Sequence, residues 1–496
     1  MALLLKIIKK KSEFTSILSR NKKNFLILFL SFFLIFFIYW STENFGSRVS
    51  YVQIIYNLFV SFTGIKDSPF EYKLSFYLYV INMPIFLSIL SIIIIDKIAN
   101  NKSLKKQKYF VFFKSNSFFK VFLLSYVMIL TYCVGAFITF FNFDDYVFAY
   151  LRYQNNPKLY SDPKKIEFLK PDTKKNLIIF YYESLEYDVK KISNNPEENP
   201  IKEIDDLKGK NIFNFKEAPA TSFSIAGVVA SQCSLPFYPT ISLNLKDLDK
   251  KKMLCLSDIL DENDYKQFFY ITVDKNFHDF GLFKETHNYV VNDKHIIKKD
   301  LNLKEPEGWG GGVSDHTLLK HAKNEIIQNY KMGEKFNVTI INTDTHTPYQ
   351  VSPECKIPKN EENNSDGYKV YKCASILIKQ FFDELEKEGV LKDTVVVIMG
   401  DHLTHDDNLI KNKKIEERNV YFKMNTDKHF TRNKMNHYDV APTILDELGF
   451  LPKNVNKFGF GVSLFNKNFD YDDHYKTVMN ENILRDYYLK RLLNYE

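Results

Sequence analysis

The sequence predicts an α/β domain, a sheet with helices on both faces, carried behind an amino-terminal membrane region. Three observations point there. Val395-Val396-Val397-Ile398-Met399 and Leu177-Ile178-Ile179-Phe180-Tyr181-Tyr182 are unbroken apolar runs, too short to span a membrane and suited to strands covered on both faces. Tyr368 to Glu388 carries apolar residues at helical spacing, and Tyr438 to Leu448 does so over a shorter length, so strands alternate with helices. Residues 25–40, 74–95 and 121–143, by contrast, are nearly charge-free, and each approaches the ~20 residues that a membrane helix needs.

In a chain of 496 residues, 45% hydrophobic content with only 17 Gly and 16 Pro excludes a largely disordered protein. The net charge of +7 would suggest nucleic acid if it were spread over a soluble domain. It is concentrated instead in residues 1–23 and 97–120, and the chain after residue 120 is net acidic. Nucleic acid is therefore not an expected partner. The positive-inside rule makes both basic segments cytoplasmic, so three spans leave everything after Phe143 outside. A signal peptide is the competing reading of the first run, but no convincing small-residue cleavage site follows Trp40, and it is taken as an anchor. Tyr51 to Gly64 is apolar but short, either a re-entrant or interfacial segment or a fourth span that would turn the large domain to the cytoplasm.

The expected organisation is a cytoplasmic segment 1–23, a membrane region 24–143, a linker 144–172, a globular domain 173–470 and a charged, Tyr-rich tail 471–496. The linker is polar, with Pro157, Pro163 and Pro171. Cys133 lies within a span, whereas Cys233, Cys255, Cys355 and Cys373 form an even set in the large domain and suggest two disulfides in an exported protein. Three connectivities are possible; pairing of sequence neighbours, Cys233 with Cys255 and Cys355 with Cys373, is preferred over buried free thiols.

Candidate chemistry begins where the strands end. Asp401-His402 follows Gly400, and Glu183 follows Tyr182, so acidic residues stand at the ends of two buried strands. In open α/β sheets ligands collect beyond the carboxyl ends of the strands, and two carboxylates placed alike beside an imidazole are better explained by a shared divalent cation than by two loop starts. Residues 218–227, small and polar, lead into the apolar run from Val228, which reads as a turn entering a helix with Thr221 or Ser222 near its start. A hydroxyl there, beside unpaired helix N–H groups, suits a bound phosphate and a nucleophile, although an ordinary helix cap is the alternative.

Several motifs together resemble the membrane-anchored branch of the alkaline-phosphatase and sulfatase superfamily: phosphoglycerol transferases of periplasmic glucans, lipoteichoic acid synthases and phosphoethanolamine transferases. The phosphoglycerol transferase pattern Thr-x-x-Thr-Ile-Ala-Gly-Met-Val-Ala-Ser-Gln-Cys is similar to residues 221–233, with Ser224 and Val228 as departures. Asp344-Thr345-His346-Thr347-Pro348, Asp401-His402-Leu403, Trp309-Gly310 followed by Asp315, Asp439 to Asp446 and Gly459 to Leu464 resemble further motifs of that group. Together they cover roughly residues 173–466.

The resemblance implies an alkaline-phosphatase/sulfatase-like fold in which Glu183, Thr221, Asp401 and His402 hold one divalent ion, Mn, Mg or Zn, with Thr221 as nucleophile. Ser222 and Ser224 remain rivals, and nothing after Thr221 fits the Cys/Ser-x-Pro-x-Arg setting of true sulfatases. It also implies a catalytic, phosphate-contacting His346 and a substrate-binding neighbourhood of Trp309, Asp274 and His278, the last two following the expected strand Gln267 to Thr272. His405 and His437 lie outside the expected site. The implied activity is transfer of phosphoglycerol from phosphatidylglycerol to an envelope glycan through a phospho-threonine intermediate, by a multi-pass protein of the bacterial cytoplasmic membrane facing the periplasm. Phosphoethanolamine transfer from phosphatidylethanolamine, hydrolysis by a phosphodiesterase and a non-catalytic glycan-binding module are the alternatives.

Overall fold

A computed structural model describes residues 17, 19, 21–45, 74, 76–100, 128, 130–135 and 159–484, apart from 194, 239–244, 246–247, 305–307, 412 and 482. Most of the expected third span, the 51–64 segment, most of the basic loop, the linker before residue 159 and the end of the tail lie outside the described residues. The described chain divides between an amino-terminal unit and a larger unit that holds residues 159–484.

In the amino-terminal unit, two helical stretches, Lys22–Trp40 and Phe76–Ile94, are long and apolar enough to cross a membrane. Phe25, Phe29, Phe33 and Phe37 recur every four residues, which lays their rings along one side of the helix Lys22–Phe45 with centroids 5.9–6.1 Å apart. The hydroxyls of Ser31 and Ser88 donate back to the Ile27 and Pro84 carbonyls at 2.9 and 2.6 Å, so neither exposes an unpaired polar group in an apolar stretch.

The larger unit is built on nine strands among the described residues: β1 Asn176–Tyr182, β2 Lys210–Asn211, β3 Asn214–Phe215, β4 Lys266–Ile271, β5 Val290–Asn292, β6 Phe336–Ile341, β7 Thr394–Gly400, β8 Phe422–Met424 and β9 Lys434–Met435. Seven form one sheet in the order β2-β8-β7-β1-β6-β4-β5, parallel from β7 to β5, with β8 antiparallel to β7 and β2 antiparallel in turn to β8 at one edge; β3 and β9 form a small second sheet. Every residue of β1 and β7 is buried because both faces are covered. Ile178, Phe180 and Tyr182 join the core beneath the helices Asp315–Lys331 and Asp366–Lys387. On the opposite face the Tyr181 hydroxyl meets Ser231 Oγ at 2.6 Å, on the helix Ser224–Cys233. Burying a strand of this kind contributes ~25 cal/mol per Å² of apolar surface removed from water, which is why the runs lack polar interruptions.

The sheet register places the site. Tyr182 of β1 pairs with Gly400 of β7, so the next residue on each strand, Glu183 and Asp401, emerges side by side. Cys233 bonds to Cys255 and Cys355 to Cys373, the sequence-neighbour pairing, and Cys133 is free. Part of the expected tail is ordered against the domain: the helix Tyr471–Val478 packs the Tyr471 ring under the Arg432 guanidinium, 3.8 Å from its centroid, while the Tyr471 hydroxyl reaches Asp439.

Candidate functional site

Glu183, Asp401 and His402 lie almost wholly buried, with candidate ligand atoms within 4.8 Å of one another. Asp401 Oδ1 accepts the Ser184 and His402 amides at 2.8 and 3.0 Å, whereas the buried Oδ2 has no hydrogen-bond donor. His402 Nδ1–H donates to the Leu403 carbonyl at 2.8 Å, which turns Nε2 toward the two carboxylates as the nitrogen a metal would take in exchange for its proton. That nitrogen stands 3.5 Å from both Glu183 Oε1 and Asp401 Oδ2. An orphaned carboxylate oxygen, a second carboxylate and an oriented imidazole fit a divalent cation; the O/N donor set admits Mn, Mg and Zn alike. Burial and the Glu183 charge raise the Asp401 carboxyl. Burial opposes the charge on His402, but the Asp401 and Glu183 carboxylates override it and push the imidazole up to about 10.

The hydroxyl that completes this cluster belongs to Ser224, not Thr221. Ser224 Oγ donates to Glu183 Oε2 at 2.9 Å and lies 3.2 Å from His402 Nε2. Thr221 is fully buried and its hydroxyl is engaged elsewhere, donating to the Ala218 carbonyl at 2.6 Å and facing His437 Nδ1 at 3.3 Å. The cause is local backbone. Ala220 takes the left-handed conformation at φ 59° and Phe223 is extended, so the helix begins at Ser224, three residues later than Thr221. Ser224 is only partly buried and sits in the first helical turn, where amide N–H groups lack intrahelical partners and favour an anion. Ser222 Oγ is buried without a hydrogen-bond partner, and its carbonyl lies 2.6 Å from His405 Nε2.

Close approach of this helix depends on Gly227, because a Cβ there would stand 2.0 Å from the Asp401 carbonyl oxygen. The same oxygen accepts His437 Nε2–H at 2.7 Å, while His437 Nδ1 accepts the Ala218 amide at 3.3 Å. Burial holds His437 down to about 4, so it is a neutral clip between the end of β7 and the turn before Ser224. His437 lies outside the site expected from sequence, and its place two residues before the Asp439 motif is the signal that the sequence offers for it.

A wall of rings flanks the cluster. Trp309 and His346 lie 4.3 Å apart, Trp309 and Phe277 5.7 Å, and Phe277 stacks on His278 at 4.2 Å. Burial, with His346 nearby, pushes His278 down to about 4, and burial lowers His346 as well, so both are neutral near pH 7. Asp274 is not part of this wall: its carboxylate is taken up by His295 Nε2 at 2.8 Å and the Asn276 amide at 2.8 Å. Behind the wall, Asn342 Oδ1 accepts the Glu183 amide at 2.9 Å and its Nδ2 donates to Asp315 at 2.8 Å. Asp315 also accepts the Thr343 amide, and Asp344 accepts the amides of Asp315 and Trp309, which ties the Trp309 and His346 loops to the end of β1.

A sulfatase family profile matches residues 175–450, from β1 through the helix Val440–Glu447. Phosphoglycerol transferase I of Shigella flexneri is 28% identical over 318 residues, which is 61% of this chain and 40% of that protein, so the chain matches about two-fifths of the relative's length. Among solved structures, the lipoteichoic acid synthase LtaP from Listeria monocytogenes has 19% identity and a TM-score of 0.48, over 59% of this chain and 76% of that one. The C-terminal periplasmic domain of EcEptC from Escherichia coli has 12% identity and a TM-score of 0.40, over 63% and 90%. The profile takes in more than half of the chain, including Glu183, Ser224, Asp401 and His402: the chain belongs to the sulfatase family.

Proposed function

We propose that this protein is a metal-dependent phosphoglycerol transferase that moves the headgroup of phosphatidylglycerol to a cell-envelope glycan through a covalent intermediate on Ser224. The observation that carries this reading is the Ser224 hydroxyl, hydrogen-bonded to Glu183 and beside His402 at the start of a helix. The similarity to phosphoglycerol transferase I supports the choice of headgroup.

Glu183, Asp401, His402 and Ser224 would hold one divalent ion, which lowers the pKa of a bound hydroxyl and shields phosphoryl charge. Ser224 Oγ loses its proton and attacks phosphorus in line; the Oγ–P bond forms, the bond from phosphorus to the diacylglycerol oxygen breaks, and that oxygen takes a proton. His346 contacts the phosphoryl group, and the Trp309–His278 wall borders the glycerol. A glycan hydroxyl then attacks phosphorus, gives up its proton and releases Ser224. Incubation with headgroup-labelled phosphatidylglycerol and phosphatidylethanolamine tests the donor: labelled protein and diacylglycerol are expected from the first. Label from phosphatidylethanolamine alone would overturn the phosphoglycerol assignment.

Metal and proton compete for His402. Because its neighbours favour the protonated imidazole, metal binding displaces a proton, and affinity rises with pH by about tenfold per unit below the imidazole's own pKa. Calorimetric titration with Mn²⁺ from about pH 6 to about pH 8 measures this; a pH-independent affinity would remove His402 from the ligand set.

The reading places residues 173–470 outside the cytoplasmic membrane, anchored by the amino-terminal spans within reach of lipid headgroups. Reporter fusions after residue 150 are expected to show an extracytoplasmic signal, and a cytoplasmic one would require a fourth span.

A further inference from the structure

Cys233 is the last residue of the helix that begins at Ser224, and it is bonded to Cys255 at the start of the helix Leu256–Asp261. Beside this bond lies a second polar cluster, remote in sequence from the metal-type site. His287 is 1% exposed, and its Nδ1–H is held by both oxygens of Asp258 at 2.9 Å, with Asp258 equally buried. That contact makes Nε2 the lone-pair nitrogen, and Nε2 points at Cys255 Sγ from 3.7 Å. Asp258 is itself fixed, because its Oδ2 accepts the Cys255 amide at 2.7 Å.

A carboxylate that orients an imidazole toward a sulfur is the arrangement that activates a cysteine. Here, however, the sulfur sits in a disulfide and has no proton to give. Among the described residues no other group donates to His287 Nε2, so a buried acceptor is left without a donor while the bond is closed. An unpaired buried acceptor costs ~1–3 kcal/mol, and a Cys255 thiol would remove that cost by donating to Nε2. The closed bond also leaves no thiolate to bind a metal, although Cys255, Asp258 and His287 stand close enough to hold one.

We propose that Cys233–Cys255 is a thiol–disulfide exchange site for a dithiol reductant, with His287 and Asp258 built to receive Cys255 as the leaving sulfur. In the first step a reductant thiolate attacks Cys233 Sγ; the new S–S bond joins reductant to Cys233, the Cys233–Cys255 bond breaks, and its electron pair goes to Cys255 Sγ beside His287. In the second step the other thiol of the reductant attacks its own sulfur in the mixed disulfide. The reductant closes to a cyclic disulfide and Cys233 leaves as thiolate. The two protons lost by the reductant end on Cys233 and on the Cys255–His287 pair, and two electrons pass to the protein. Both sulfurs are fully buried, so exchange proceeds through local opening, while the equilibrium between closed and reduced forms does not depend on that route. Opening the bond releases the far end of the Ser224 helix, yet the site itself requires nothing of the activity proposed above.

The test uses the full-length protein in detergent, equilibrated in mixtures of reduced and oxidised dithiothreitol, quenched with acid, alkylated and read pair by pair by mass spectrometry. Cys355–Cys373 in the same molecule is the internal reference. His287→Gln, which keeps a partner for Asp258 but cannot take up a proton, is expected to make Cys233–Cys255 harder to reduce by about tenfold, about 30 mV for a two-electron couple, with the reference pair unchanged. Asp258→Asn, which retains an acceptor for the Cys255 amide, is expected to move it in the same direction by less, and it serves if the His287 variant does not fold. Brief exposure to glutathione is expected to trap the mixed disulfide on Cys233. An unchanged Cys233–Cys255 midpoint in the variants, an equal shift of both pairs, or glutathione trapped on Cys255 would overturn the proposal.

Discussion

Ser224→Ala is expected to abolish the covalent phospho-enzyme and lower turnover by roughly 10⁴–10⁶-fold, because it removes the atom to which phosphorus would be transferred. Metal affinity is expected to fall by only about tenfold, since Glu183, Asp401 and His402 remain to hold the ion. The contrast with Thr221→Ala makes the experiment decisive. Thr221 loses a buried hydrogen bond to Ala218, worth about 1 kcal/mol, so that variant is expected to keep its covalent label and most of its turnover. Steady-state rates, protein labelling and calorimetric metal titration on the two variants read the difference. Label lost in Thr221→Ala and kept in Ser224→Ala would reverse the assignment.

Gly227→Ala is the second large effect, and its sign runs against helix propensity. Alanine in place of glycine within a helix ordinarily stabilises by roughly 0.5–1 kcal/mol. At Gly227 the new methyl would meet the Asp401 carbonyl at 2.0 Å, inside the contact distance of any carbon and oxygen. Either the Ser224 helix or the end of β7 must move by about 1 Å, at a cost of roughly 1–3 kcal/mol. Both structures carry the site: Ser224 lies one turn before Gly227, and Asp401 and His402 follow β7 directly. A displacement of that size is expected to lower kcat by about 100-fold and to lower the melting temperature. A raised melting temperature with unchanged kcat would contradict so close an approach of helix to strand.

What was legible in the sequence follows from burial. β1 and β7 are covered on both faces, so they are written as unbroken apolar runs, and the first charged residue after each, Glu183 or Asp401, marks the carboxyl end of the sheet. Their adjacency was not legible, because it depends on the pairing of Tyr182 with Gly400 across more than two hundred residues. The resemblance implies Thr221 with Ser222 and Ser224 as rivals, and hydroxyls within three residues of one another at a turn are told apart only once the backbone of Ala220 and Phe223 is known. His437 escaped for a related reason: its partners, Ala218 and the Asp401 carbonyl, come from two distant segments and involve backbone atoms that any sequence offers. Asp274 lies after β4 in the neighbourhood that the resemblance implies for the substrate, and its carboxylate is paired there with the exposed His295, a contact between side chains that the sequence does not announce. The Tyr471–Asp439 contact likewise gives the charged tail a packing role that its composition conceals.

The proposed transfer of the phosphoryl group to Ser224 is measured most directly by incubating the protein, with divalent metal, with phosphatidylglycerol labelled in the headgroup, quenching with acid before the acceptor reacts, digesting, and locating the label by mass spectrometry. A phosphoglycerol adduct on Ser224, absent when metal is removed, is the expected result, whereas an adduct on Thr221 or on any other residue would contradict it.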